Sequence, residues 1–180
     1  MKPLRYIPHY TYEDYSRWEG KWELIYGIAH DMSPSPKRKH QQVTTLLVSA
    51  ISIELKKETK NCNDCFVYTE LDWIISEDTA VRPDIMIVCG EFNDDFLKFP
   101  PTLVVEILSP STAIKDRSVK FDLYEQQKVK YYILLNPDNK TQKIFTLQND
   151  VYVEIQTTEF VLHNNCPLQI DFQLLLNELN

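Results

Sequence analysis

The apolar residues of this chain recur with two periods. From Lys37 to about Glu58, Val43, Leu47, Ala50 and Ile51 return at helical spacing, with Leu46, Ile53 and Leu55 beside them, and predict the longest helix of the molecule. Elsewhere the period shortens to two, or gives way to short apolar runs between turn residues, which mark half-buried and doubly covered strands. KWELIYGIAHDM (21–32) alternates about Gly27 and predicts a hairpin or bent strand pair, closed by Pro34 and Pro36. FVYTELDWII (66–75) predicts one or two strands. VRPDIMIVC (81–89) predicts another, with Pro83 at its entry where a missing N–H does least harm, and TLVVEIL (102–108) the next. YYILLN, KIFTLQ and VYVEIQ follow as strands, with NPDNKT turning the chain between the first two.

Shorter helices are expected in three places. YTYEDYSRW (10–18) offers Thr11 as N-cap and Asp14 in the first turn, and a second segment runs from about Thr112 to Gln127 with Ser111 or Thr112 as cap and Asp116 early in it. DFQLLLNEL closes the chain. Strands and helices alternate without clean βαβ repetition, so the expected class is α/β (α+β), a central mixed sheet flanked by helices. At 180 residues and 43% hydrophobic content the chain can bury one sizeable core, and a single domain over 1–180 is expected, with no internal repeat or linker.

The formal net charge of -7 argues against a polybasic nucleic-acid binder, because non-specific phosphate binding needs clustered Lys and Arg. Local basic clusters remain: KPLR near the start, KRKH (37–40), Lys56 with Lys57, and KDRSVK (115–120), which the fold could gather into a positive rim. The first residues carry no apolar leader segment, and no apolar run approaches the roughly 18 residues of a membrane span, so a soluble, cytoplasmic protein with no membrane partner is expected. The four cysteines are then expected as reduced thiols. CNDC (62–65) and HNNC (163–166) do present the two-residue spacers of a structural zinc site in Cys62, Cys65, His163 and Cys166. The halves lie about 100 residues apart, and free thiols are the plainer reading.

Within LVVEILSPST (103–112), Glu106 interrupts an apolar strand where an ionised carboxylate costs several kcal/mol unless it is paired or bound to a metal. Asp84, at the edge of the run RPDIMIV, is a second acid arriving from the preceding strand. Two strands delivering carboxylates to one end of a sheet make the hard-oxygen environment that Mg²⁺ prefers. Each acid could instead simply pair with a nearby Arg or Lys.

RPDIMIV, PPTLVVEILSPST and KDRSVKFDLYEQQKVKYYILLNPD together resemble the putative restriction endonuclease family within the PD-(D/E)XK nuclease superfamily. The resemblance extends from WELIYG to about Asp138, and the VVEILSPST block with its following helix carries most of its specificity. It implies a restriction-endonuclease-like fold with additional N- and C-terminal strands. It also implies a Mg²⁺-dependent endonuclease, with Mn²⁺ as substitute, that hydrolyses phosphodiester bonds in nucleic acid, DNA before RNA. Asp84 matches the first acid of the motif, Glu106 the second, and the backbone carbonyl of Ile107 would complete the metal's protein ligands. The superfamily pattern places a lysine two residues after the second acid, where this chain has Leu108. Lys120 matches the helix lysine that takes its place in the resembled family, with Asp116 and Tyr124 four residues away on either side and Lys115 as competitor. Lys120 would orient or help deprotonate the attacking water. Glu23, in WELIYG, matches a further acid near the site that could hold a second metal or a metal-bound water; it could equally be an ordinary hairpin glutamate. His40 could touch the site or the substrate, although a capping or surface role explains it as well.

A homodimer is expected if both strands of a duplex are cut, since that needs two sites. The competing reading is a catalytically degenerate nuclease fold serving as a dimeric nucleic-acid- or protein-binding module. Against it stands the joint presence of Asp84, Glu106, Lys120 and Glu23, several charges for which a merely structural domain has no physical use.

Overall fold

Two sheets dominate the computed structural model, which describes residues 8–32, 37–57, 61–109 and 113–179. The chain begins with α1 (Tyr12–Tyr15), the hairpin β1 (Trp22–Ile25) and β2 (Ile28–Asp31), and the long α2 (Arg38–Lys57). Four strands follow: β3 (Cys65–Thr69), β4 (Trp73–Ser76), β5 (Thr79–Val81) and β6 (Ile85–Cys89). Then come β7 (Leu103–Ile107), α3 (Ala113–Arg117), α4 (Val119–Gln126), β8 (Tyr131–Asn136), β9 (Thr141–Gln148) and β10 (Val151–Ile155). The last elements are β11 (Glu159–Val161), a 3₁₀ turn at His163–Asn165, β12 (Pro167–Gln169) and α5 (Phe172–Asn177). Pro34, Pro36, Ser111, Thr112 and the KPLR cluster lie outside the described residues.

The larger sheet has six strands in the order β10-β9-β8-β7-β6-β3. It is mixed because β7 and β8 pair in parallel, joined by a crossover through α3 and α4, whereas the other neighbours are antiparallel. The smaller sheet, β2-β1-β5-β4, is made from the N-terminal hairpin and the strands on either side of the turn at residues 77–78. Thr11 caps α1 as its sequence predicts, exchanging hydrogen bonds with Asp14 in a capping box. Tyr26 and Gly27 form a two-residue hairpin loop with φ of 52° and 73°, the mirror-image turn that matches strand twist. A Cβ at Gly27 would also collide with the His9 imidazole, so the position requires glycine on both counts.

Strand parity sends side chains into two separate cores. Leu103, Val105 and Ile107 of β7 face a cluster with Val43, Leu47, Ile51 and Leu55 of α2, and with Phe160, Leu168, Phe172 and Leu176 of the C-terminal elements. Val104 and Leu108, in the alternate register, face Leu123 and Tyr124 of α4, and Ile25, Trp73 and Val81 of the small sheet. Glu106 sits between Val104 and Leu108 in this alternation. Its carboxylate therefore enters the space between the two sheets.

Two features depart from the sequence reading. The segment from Thr112 to Gln127 is not one helix: α3 and α4 are separated at Ser118, whose ψ of -77° is outside the helical range. The cysteines are not free thiols. Cys62 is bonded to Cys166 and Cys65 to Cys89, and the would-be zinc set of Cys62, Cys65, His163 and Cys166 is divided between two disulfides. The reason is topological. Cys65 and Cys89 are register partners on adjacent antiparallel strands, and the β11–β12 unit brings Cys166 back against the segment leading into β3. The Cys62–Cys166 bond closes a sequence separation of 104, so its loss removes a large restriction on the unfolded chain. Cys166→Ser is expected to lower stability by about 2–5 kcal/mol, read as a reduced urea midpoint, with reductant producing at least as large a drop in the wild type.

Candidate active site

Lys120 is the centre of the site. Held on α4 with 2% exposure, its ammonium lies 2.8 Å from Glu106 Oε1, 2.7 Å from Glu23 Oε1 and 3.8 Å from Asp116 Oδ1. The tertiary structure thus brings together a β7 acid, a β1 acid and a helix lysine that are spread over most of the sequence. Leu108, where the superfamily pattern has its lysine, is buried in the apolar core beside Val104 and Leu123.

Each partner has further support. Tyr124, one turn beyond Lys120, donates its hydroxyl to Glu106 Oε1 at 2.8 Å, so both donors fall on the same carboxylate oxygen and neither goes to Oε2. Glu23 has both oxygens engaged: Oε1 also accepts from the Arg82 N–H at 3.0 Å, and Oε2 pairs with Lys115. Lys115 and Lys120 of the basic segment 115–120 do not line a rim, because both turn inward to Glu23, and Arg117 alone of its cations is exposed. Tyr132 of β8 donates to the Asp116 carbonyl at 2.8 Å and ties the end of α3 to the sheet.

Asp84 stands just before β6. The β6–β7 register pairs Ile85 with Val105, and one step further along it Asp84 is level with Glu106 at the same end of the sheet. Asp84 Oδ2 accepts from the Ile107 N–H at 2.7 Å, and Oδ1 lies 3.2 Å from His40 Nε2. The preceding Arg82 is itself locked, its Nε 2.6 Å from Asp72 Oδ1 while Tyr15 donates to Asp72 Oδ2 at 3.0 Å. The segment that carries Asp84 from the small sheet to the large one is consequently fixed at both ends.

The electrostatics are those of too many acids around too few cations. Burial pushes the Glu106 carboxyl well above the usual range; Lys120 opposes this, and Asp116, Asp84 and Glu23 reinforce it. Burial works against the Lys120 charge, but Glu106, Glu23 and Asp116 outweigh it and hold the ammonium protonated. Glu23 takes the larger share of positive charge. Burial would raise it, yet Lys120 and Lys115 together hold its carboxyl at about 2. A depressed folded-state value means stability that is present above the unfolded value of 4.5 and lost as the pH falls toward about 2. The contribution is about 3 kcal/mol. Glu23→Gln should accordingly flatten the acid limb of the stability curve between those values, measured by urea unfolding from neutral pH downward; parallel curves for the two proteins would show that Glu23 does not carry it.

The sequence reading did not single out three residues that belong here. Asp116, noted only as a helical neighbour, is buried at 2% exposure within reach of Lys120. His30 is the register partner of Glu23, and burial and the nearby Lys115 ammonium hold its imidazole below the usual histidine range. Arg82 anchors both Glu23 and the Asp84 segment. A hairpin pairing across Gly27 could have located His30, since four residues on one side of the turn face four on the other. Nothing local marks Arg82.

A mixed sheet with an acid at the entry of one central strand, a second acid inside the next, and a lysine closing over them defines the restriction-endonuclease-like class. The fold is similar to a crystal structure of a putative nuclease belonging to DUF820 from Anabaena variabilis, with a TM-score of 0.70 and 18% identity, covering 93% of this chain and 97% of that one. The family model Uma2, described as putative restriction endonuclease, matches residues 12–176. The chain belongs to that family, and its family and fold are those of restriction-endonuclease-like nucleases. No curated protein matches it. Among the described residues no helix is long and apolar enough to cross a membrane.

Proposed function

We propose that the protein is a metal-dependent endonuclease that hydrolyses phosphodiester bonds in DNA, with Mg²⁺ or Mn²⁺ held at the Asp84–Glu106 end of the sheet. The observation that carries this reading is the buried charge balance around Glu106. Among the described contacts, Glu23, Glu106, Asp116 and Asp84 bring four carboxylates to a region where Lys115 and Lys120 supply two ammonium groups and His40 an imidazole, so the acids outnumber the cations there. A divalent cation would offset that excess.

The donor set fits Mg²⁺ in a particular way. Among the described residues no three His, Cys, Asp or Glu side chains form a metal cage by themselves. Mg²⁺ commonly binds through one or two carboxylates, keeping waters and substrate phosphate oxygens in its other positions. Asp84, the Glu106 Oε2 that neither Lys120 nor Tyr124 occupies, and the backbone carbonyl of Ile107 are the residues that would hold it. Bound there, the cation would supply Lewis acidity toward the scissile phosphate and a lowered pKa for water.

The chain's own groups define the rest. Lys120, kept protonated by three carboxylates, serves as a hydrogen-bond donor and fixed positive charge beside the phosphorus rather than as a base. Glu23, with both oxygens engaged by Lys120, Arg82 and Lys115, aims the two lysines instead of holding a second metal. The homodimer expected for double-strand cleavage belongs to the same proposal.

Mg²⁺ and Mn²⁺ calorimetry on the wild type and Asp84→Ala, run beside cleavage of single- and double-stranded DNA and of RNA, tests the reading. Binding and DNA cleavage in the wild type, both lost in Asp84→Ala, are expected. A wild type that binds neither ion and cuts none of the substrates would replace the enzyme with a binding module on a nuclease fold.

A further inference from the structure

Asp84 is the one acid of the site that no lysine neutralises in the described contacts, and its carboxylate is nonetheless held at both oxygens. Oδ2 takes the Ile107 N–H at 2.7 Å, a main-chain bond that any residue at 107 other than proline would provide. Oδ1 is held by a side chain from a distant part of the chain, His40 Nε2 at 3.2 Å. That imidazole is placed by α2, whose Val43, Leu47, Ile51 and Leu55 are buried against the sheet, and whose first turn is tied by the Thr44 hydroxyl donating to the His40 carbonyl at 2.9 Å. The His40 side chain is only 13% exposed, so it is not a surface residue. Its other nitrogen, Nδ1, is buried without a hydrogen-bond partner among the described residues. The Nε2 position is therefore the one that carries the proton toward Asp84.

We propose that His40 is a positioning residue for Asp84, which clamps the carboxylate between α2 and the end of β7 in the orientation that receives the divalent cation; this rests on the metal reading of the site given above. A carboxylate free to rotate would present the cation with several geometries, whereas one fixed by an imidazole and a peptide N–H presents a single one. Groups that orient a metal ligand in this way change metal affinity about 10–100-fold when they are removed. His40 acts on the ligand and not on the substrate. Its effect falls on ion binding first and on turnover at saturating ion only weakly.

Two isosteric amides separate the clamp from mere packing. The side-chain nitrogen of glutamine can occupy the place of Nε2 and reach Asp84, whereas that of asparagine occupies the place of Nδ1 and falls short. Mn²⁺ is titrated calorimetrically into wild type, His40→Gln and His40→Asn, with cleavage measured over a range of Mn²⁺ concentrations. The expected result is near-wild-type affinity for His40→Gln and a loss of about tenfold or more for His40→Asn, with cleavage by His40→Asn restored at high Mn²⁺. Equal affinities for the two variants, whether both high or both low, overturn the clamp while leaving the metal site standing. A wild type without Mn²⁺ binding overturns the metal reading and the clamp together.

Discussion

Glu106→Gln should melt above the wild type in metal-free buffer at neutral pH and should no longer respond to Mg²⁺. A carboxyl whose folded-state pKa is raised contributes stability when protonated, and that contribution is lost as the pH rises through the folded-state value. At neutral pH, above the ordinary carboxylate range, the Glu106 carboxyl is thus a cost to the metal-free fold, and a neutral isostere relieves it. Glutamine still offers an oxygen to Tyr124 and Lys120, and Lys120 keeps Glu23 at 2.7 Å. The wild type should show the complementary behaviour. Mg²⁺ at about 100 times its dissociation constant adds about 2.7 kcal/mol to the folded state, and a chain of this length then gains about 5–10 °C in melting temperature. Removing the cation's transition-state stabilisation, worth several kcal/mol, lowers kcat in Glu106→Gln by about 10³-fold. Thermal melts of both proteins with and without Mg²⁺ provide the check. A variant that melts below the wild type without metal would contradict the assigned direction of the Glu106 shift.

Lys120→Met is the change with the largest expected effect on stability. It keeps roughly the volume of the side chain and deletes the ammonium that Glu106, Glu23 and Asp116 share. Glu23 retains Lys115, but Glu106 is left with the Tyr124 hydroxyl. Breaking a buried pair from one side costs about 3–5 kcal/mol, which for a chain of this length lowers the melting temperature by about 10 °C. Adding Glu106→Gln to Lys120→Met should recover more stability than Glu106→Gln gains in the wild type, because the second change removes the charge the first one strands. Strictly additive effects in the double variant, or a wild-type melting temperature for Lys120→Met, would mean that Lys120 and Glu106 are not coupled as the geometry requires. Lys120→Arg is not expected to substitute, since a planar guanidinium cannot fill the space of a compact ammonium enclosed on all sides.

The elements that carry the site were legible to unequal degrees. The long helix α2 follows from apolar periodicity, and the strands β6 to β10 from short apolar or alternating runs between turn residues, because local patterning decides their burial. The three-residue strands β5, β11 and β12 are too short to establish a period, and their pairing comes from partners elsewhere. The break at Ser118 divides a helix that periodicity alone would run through, so that Lys115 and Lys120 approach Glu23 from two short segments. The cysteines show the same limit: spacing grouped Cys62 with Cys65, whereas the sheet register pairs Cys65 with Cys89 and the C-terminal strands pair Cys62 with Cys166.

By itself the sequence determined that a carboxylate would be buried in β7 and would need a cation, since apolar neighbours on both sides of Glu106 leave no solvent to share its charge. It determined, through Pro83, Asp84 and the VVEILSPST block, which strands would deliver the acids. Only the tertiary structure decided the partition of charge among them. Lys120 is shared by three acids, Glu23 has both oxygens engaged by cations and a peptide N–H, and Asp84 is fixed by His40 and Ile107, because the sandwich of two sheets under one helix sets distances that no sequence spacing encodes. Coulomb interactions in a buried site depend on those distances and on the exclusion of water, and both exist only once the sheets have met.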